Sequence, residues 1–276
     1  MALAALKQVQ YPDNAAQAAR SMVALKDVRM AFGEFIAVDD VNLTVADGEF
    51  LAIVGPTGCG KSTILNAIAG LLKPAKGSVT IDAAPVTNVG ADIGYLFQQD
   101  ALLPWKTSIE NVELGLMFRG IAKAERRERA MNWLAKVGLK GFEDRYPHQL
   151  SGGQRKRVQM AQALITGPKV ILMDEPFSAL DIHTRHLMQN ELLRLWQEER
   201  RAVVMITHDL EEAIALGDRV VVLAAGPRSR VIDSFPVDLE RPRDVAEIKL
   251  DPRFLELYKN IWASLRGEVE KSYARK

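Results

Sequence analysis

The sequence predicts an α/β fold built on a parallel sheet. Three observations carry this expectation. Phe50-Leu51-Ala52-Ile53-Val54 is a continuous apolar run, as a strand buried on both faces requires. Similar runs follow at Val170-Ile171-Leu172-Met173, Ala202-Val203-Val204-Met205-Ile206 and Val220-Val221-Val222-Leu223. Helical-looking segments separate them, the alternation of a sheet wound with helices. In such sheets the chemistry gathers at the carboxyl ends of the strands.

The elements are expected in the following order. Residues 1–21 are rich in Ala and Gln, contain Pro12 and lack an aliphatic pattern; they read as a mobile tail, with a short helix as the alternative. Residues 22–45 suggest strands, from Val23-Ala24-Leu25 and the alternation of Val38, Val41, Leu43 and Val45 with polar neighbours. Asp47-Gly48 marks a turn. The run Phe50 to Val54 then feeds a Gly-rich segment, and residues 61–69 read as a helix closed by Gly70. Over residues 99–166 the texture becomes helical, at 108–118, 123–137 and 152–165, as a helical subdomain inserted into the α/β core. Another helix is expected at 181–199, between two of the apolar runs. The core domain spans residues 22–225. Residues 226–276 carry Pro227, Pro236 and Pro242 and a helix over 252–265, and read as a peripheral C-terminal extension.

Composition narrows the function classes. A chain of 276 residues, 48% hydrophobic, buries a sizeable core. Its 36 basic and 35 acidic residues leave a net charge of +1, so no basic field invites nucleic acid. The single cysteine, Cys59, excludes an intramolecular disulfide and fits a reducing compartment. No apolar run approaches the roughly 20 residues that span a bilayer. The chain is expected to be soluble, with any membrane spans supplied by other subunits.

The Gly-rich segment Gly55-Pro56-Thr57-Gly58-Cys59-Gly60-Lys61-Ser62-Thr63 fits G-x-x-x-x-G-K-[ST] at every fixed position. Its setting between strand and helix is that of a P-loop, so the fold class sharpens to a P-loop NTPase core. Glycines let backbone N–H groups cradle phosphate oxygens, and the helix start adds its dipole. Lys61 is placed for the β- and γ-phosphates, Ser62 for Mg²⁺, and Thr63 for a further phosphate contact. Cys59 is read as a small tolerated side chain, not as a catalytic thiol.

Asp174 ends an apolar run, the setting of the Asp that holds Mg²⁺ in such enzymes. Glu175, next to it, is placed to polarise the water that attacks the γ-phosphate. Leu150-Ser151-Gly152-Gly153-Gln154 reads as a second phosphate-facing helix start: Ser151 is an N-cap, and Gly152 and Gly153 expose backbone N–H groups. One chain thus carries two anion-binding helix starts and one P-loop.

Together these motifs resemble the ATP-binding subunits of ABC transporters, in family order over Phe32 to His208. The resemblance implies a P-loop core with an N-terminal antiparallel β subdomain and an inserted helical subdomain, and ATP and Mg²⁺ as ligands. It makes Gln98 the Q-loop residue, a ligand of Mg²⁺ or of the attacking water, with Gln99 as the alternative. It makes His208 the switch histidine that senses the γ-phosphate, and Phe32 the aromatic that stacks on adenine. Ser151, Gly152, Gly153 and Gln154 would cover the ATP held by the P-loop of a second ATPase subunit, in a head-to-tail dimer of two copies or of one copy and a paralogue. Ser178-Ala179-Leu180-Asp181 resembles the D-loop that lines that interface. One departure is Gln162, where relatives often carry Arg.

Finer features resemble bacterial importers of the nitrate/sulfonate/taurine type: Asp100-Ala101-Leu102-Leu103-Pro104-Trp105-Lys106, Asp218 to Leu223, and Arg241-Pro242-Arg243. That group implies membrane permease subunits as partners, a substrate-binding protein acting indirectly, and a peripheral place on the cytoplasmic face of the inner membrane. Residues 102–105 would help dock the permease; packing within the helical subdomain is the plainer alternative. A soluble ABC ATPase acting on ribosomes or DNA is the competing class. It usually brings a second cassette or a long coiled coil, and neither is in this sequence.

Overall fold

The computed structural model describes residues 21–274. The expected N-terminal tail lies outside the described residues, apart from Ser21, which opens the first strand.

Strands β1 (Ser21–Phe32), β2 (Phe35–Ala46), β4 (Lys76–Ile81) and β5 (Ala84–Pro85) form an antiparallel sheet in the order β2-β1-β4-β5. Strands β3 (Phe50–Val54), β6 (Ile93–Leu96), β7 (Val170–Asp174), β8 (Ala202–Ile206), β9 (Arg219–Leu223) and β10 (Val231–Pro236) form the second sheet, in the order β10-β9-β3-β8-β7-β6. All its neighbours run parallel except β10, which pairs antiparallel with β9.

The central sheet is buried on both faces, and its side chains divide with a period of two. Phe50, Ala52 and Val54 of β3 join one core with Val203 and Met205; Leu51 and Ile53 join another with Val204 and Ile206. The second core is closed by helix α1 (Lys61–Ile68) and the antiparallel sheet. The first is closed by the helices on the opposite face, with Phe50 edge-on to Trp196 at 5.6 Å between ring centroids.

The inserted helices are α2 (Ser108–Val112), α3 (Leu114–Phe118), α4 (Lys123–Lys136) and α5 (Gly152–Leu164). The single helix expected over 108–118 is divided at Glu113, whose carboxylate faces Arg126 of α4 at 3.4 Å. Gly115 then passes Thr166 so closely that a Cβ would lie 2.6 Å from its methyl carbon. Helix α6 (Ile182–Glu199) starts at the N-cap Asp181, which accepts from the Thr184 N–H, and α7 (Leu210–Leu216) follows β8.

Helix α8 (Pro252–Ala274) runs well beyond the 252–265 read from sequence, burying Phe254, Ile261, Leu265 and Glu268. Residues 226–276 also contain β10, hydrogen-bonded to the central sheet, so chain position 225 marks no break in the sheet. The half-buried pattern of Val231–Pro236 gave too little apolar alternation to mark a strand.

Candidate active site

Because β3, β8, β7 and β6 are successive parallel neighbours, the segments leaving their carboxyl ends lie side by side. They carry the P-loop, His208, Asp174-Glu175 and Gln98 in that spatial order. The sheet therefore gathers on one edge residues far apart in the chain.

In the P-loop, Gly60 adopts φ +98° as the N-cap of α1. A Cβ there would stand 2.5 Å from Val38 Cγ2, so β2 of the other sheet presses directly on the loop. A Cβ on Gly55 would stand 2.9 Å from Cys59 Sγ. Cys59 is buried beneath the loop, and burial pushes its thiol pKa up, which suits packing and not nucleophilic chemistry. Lys61 is buried and donates from Nζ to the carbonyls of Gly55 at 2.8 Å and Pro56 at 3.1 Å. Pro56 is buried, Thr57, Gly58 and Ser62 are exposed, and Thr63 is half-buried.

The Ser62 hydroxyl donates to Asp174 Oδ1 at 3.4 Å. Burial raises the Asp174 pKa; the Ser62 hydrogen bond pulls the other way, the Glu175 charge adds to the rise, and Lys61 opposes it. A cation beside this carboxylate would relieve that penalty. A hydroxyl and a carboxylate are hard oxygen donors of the kind Mg²⁺ takes, so the pair fits that ion.

Glu175 sits in the left-handed region at φ +41°. Its N–H donates to Ile206 O at 3.0 Å, and its carbonyl accepts the Ser178 hydroxyl at 3.0 Å, so the strained backbone is held from both sides. Its Oε2 accepts from Gln98 Nε2 at 3.3 Å and meets His208 Nδ1 at 3.0 Å. With the carboxylate ionised, this contact requires the imidazole to donate from Nδ1. Of the two neighbouring glutamines it is Gln98 whose amide reaches Glu175; the Gln99 carbonyl instead accepts from Gln159.

Ser151 caps α5 in a reciprocal box: its hydroxyl accepts from the Gln154 N–H at 3.3 Å, and the Gln154 side chain accepts from the Ser151 N–H at 2.9 Å. Gly153 is squeezed by α6, where a Cβ would lie 2.9 Å from Thr184 Cγ2. Gly152 lines a cleft of about 550 Å³ together with Gln98, Glu175, Ser178 and His208. Phe32 is half-exposed at the tip of the β1–β2 hairpin, the same hairpin whose Val38 backs Gly60.

Residues 38–178 match the family described as ABC transporter. The chain is 50% identical over 86% of both sequences to an uncharacterised ABC transporter ATP-binding protein, MJ0412, of Methanocaldococcus jannaschii. The chain belongs to the ABC transporter family. It is 44% identical to the taurine import ATP-binding protein TauB of Escherichia coli, over 86% of this chain and 94% of the relative. It also superposes on the ATP-binding cassette MJ0796, solved as a dimer in a post-hydrolysis state with ADP and Pi, with TM-score 0.69 at 38% identity, covering 79% of this chain and all of that one. The chain is thus an ABC ATP-binding subunit and an ATPase, and its fold is the expected ABC cassette.

Within this cassette, further residues support the site, among them Lys156 and Gln159, to which the motifs gave no role, and Asp100, Arg241 and Arg243, which the sequence marked only through the importer resemblance. On α5, Lys156 is buried and donates to Gln159 Oε1 at 2.7 Å and to Phe97 O at 3.3 Å. Gln159 Nε2 donates to Phe97 O at 3.4 Å and Gln99 O at 3.3 Å, and Arg155 pairs with Asp100 at 2.6 Å. The helix that starts at Ser151 thereby grips the backbone on both sides of Gln98. Arg241 and Arg243 donate to the carbonyls of Leu216 and Gly217 at the C-terminal end of α7, the helix that follows His208. Lys156 and Gln159 belong to no motif, so nothing in the sequence marks them as buried supports.

Proposed function

We propose that this subunit powers an importer for a small anion of the nitrate, sulfonate or taurine class. The observation that carries the reading is its likeness to a taurine import ATP-binding protein across nearly the whole of that relative. The convergence of Gln98 and His208 on one oxygen of Glu175, beside the P-loop, supports the hydrolytic roles.

In this reading the P-loop from Gly55 to Thr63 cradles the phosphates, and Lys61 leaves its carbonyl partners to pair with them. Ser62, Asp174 and Gln98 would hold Mg²⁺, which would supply positive charge to offset that of the phosphates. Glu175 orients and polarises the attacking water. Gln98 and His208 hold that carboxylate in place and sense the γ-phosphate. Phe32 stacks on the adenine.

The subunit works as a head-to-tail pair, its Ser151, Gly152, Gly153 and Gln154 closing over the ATP on the partner's P-loop. A homodimer is the simplest such pair. The pair sits on the cytoplasmic face of the inner membrane, beneath permease subunits fed by a substrate-binding protein. Among the described residues no helix is long and apolar enough to cross a membrane. Of the segment read as a docking site, Leu102 is buried in the subdomain, whereas Trp105 is 70% exposed and free to meet the permease.

The test is a pull-down of the tagged Glu175→Gln protein from solubilised membranes with ATP. A co-purifying polytopic permease, and loss of ATP turnover, are expected. Ribosomal proteins or nucleic acid in its place, or normal hydrolysis, would overturn the reading.

A further inference from the structure

A hydrogen bond ties helix α8 to the segment that faces the P-loop. After β9 the chain continues as the segment 224–229. Gly226 faces the P-loop: a Cβ there would lie 3.1 Å from Gly58 O and 3.5 Å from Cys59 Cα. Ser229, fully buried, donates from Oγ to Ala224 O at 2.8 Å and from N–H to Ala37 O at 3.1 Å, so both ends of the segment are tied. Between these ties stands the Ala225 N–H. Its acceptor is Glu268 Oε2 of α8, at 2.7 Å. Glu268 is itself buried, and its other oxygen accepts from Lys271 at 2.5 Å.

We infer that Glu268 is a positioning residue for nucleotide binding, holding segment 224–229 through Ala225 so that Gly58 and Cys59 keep the shape that receives phosphate. A buried carboxylate is costly to install, and a backbone N–H left without its acceptor in this place would pull the segment toward another partner. Only a side-chain-free residue fits between the segment and Gly58, since even a Cβ on Gly226 would crowd the Gly58 carbonyl. The contact joins residue 225 to residue 268, so α8 belongs functionally with the P-loop although it lies near the far end of the sequence. The inference rests on the reading of Gly55 to Thr63 as the phosphate cradle.

The experiment measures equilibrium binding of Mg-ATP and steady-state ATPase kinetics on the full chain, with melting temperature recorded for each variant. Glu268→Ala is expected to bind ATP about tenfold more weakly and to raise KM, with kcat within about twofold of the parent. Glu268→Gln keeps an acceptor of the same reach and is expected to restore affinity to within about twofold. Gly226→Ala approaches from the other side, pushing on Gly58, and is expected to weaken binding also; it decides the matter with Glu268→Gln if Glu268→Ala does not fold. Parental affinity in Glu268→Ala or in Gly226→Ala would overturn the inference, as would equal losses in Glu268→Ala and Glu268→Gln. Lys61→Ala separates the two levels. If it too binds ATP normally, the cradle reading itself fails; if it alone loses ATP, only the role of Glu268 fails.

Discussion

His208 Nδ1 lies 3.0 Å from Glu175 Oε2, the same oxygen that accepts from Gln98. Residues from three different strand ends thus meet at one carboxylate oxygen. The His208 side chain is 60% exposed, and this contact ties its ring to Glu175. His208→Ala is expected to lower kcat by about 10²-fold, in the range of lost acid–base or orienting groups, with ATP affinity little changed. Stopped-flow phosphate release at saturating ATP checks this; a large change in affinity with kcat intact would assign His208 to binding.

The backbone of Glu175 predicts a trade between stability and activity. At φ +41° a non-glycine residue carries strain of order 1 kcal/mol or more. Glu175→Gly relieves it while removing the carboxylate. The variant is expected to melt at or above the parental temperature and to lose ATP hydrolysis. Clear destabilisation would mean that the contacts of Glu175 with Gln98 and His208 outweigh the strain.

Lys156 gives a pH signature. Burial pushes its pKa down to about 8 from 10.5, with Asp100 opposing. The folded state therefore binds fewer protons than the unfolded state between those values, and stability rises with pH across that window. The full increment corresponds to about 3 kcal/mol for one such lysine. Lys156→Met removes it, so the stability difference between parent and variant is expected to grow in favour of the parent from about pH 8 to 10.5. Urea unfolding at a series of pH values reads this, and parallel curves would place the ammonium in a better-solvated site.

Gly60 combines a left-handed backbone with a Cβ position 2.5 Å from Val38 Cγ2. Gly60→Ala is expected to destabilise by about 1–3 kcal/mol and to weaken ATP binding at least tenfold. Denaturant unfolding and ATP titration of one preparation measure both effects.

Phe50 tests the core beneath the site. It is fully buried and meets Trp196 edge-on. Phe50→Ala is expected to cost about 3–5 kcal/mol, with ATP affinity retained wherever the protein stays folded.

The sequence made the site more legible than its supports. The P-loop, Asp174, Glu175 and Ser151 to Gln154 stand out as candidates because the chemistry proposed for them would demand particular residues at fixed spacing, and strands β3, β7, β8 and β9 were visible because burial on both faces leaves unbroken apolar runs. Strand β10 was not visible, since its pattern is half-polar throughout. Helix α8 was cut short because beyond Leu265 the chain runs Arg266-Gly267-Glu268-Val269-Glu270-Lys271, a glycine and charges around one apolar residue, and nothing in it marks Glu268 as buried. Lys156 and Gln159 escaped notice for a related reason: a buried polar side chain is defined by the carbonyl it meets, and Phe97 and Gln99 lie some 60 residues away in the chain.

Strand β10 has one more consequence. It covers the outer hydrogen-bonding side of β9, whose Val220, Val221 and Val222 would otherwise form an open apolar edge. The border of the sheet passes instead to a strand bearing Asp233 and ending at Pro236, a charge and an imino acid that both discourage further strand addition. The C-terminal segment thus protects the cassette from sticking to itself: a chain ending at residue 230 would expose a valine-rich template for aggregation just as it emerged from synthesis.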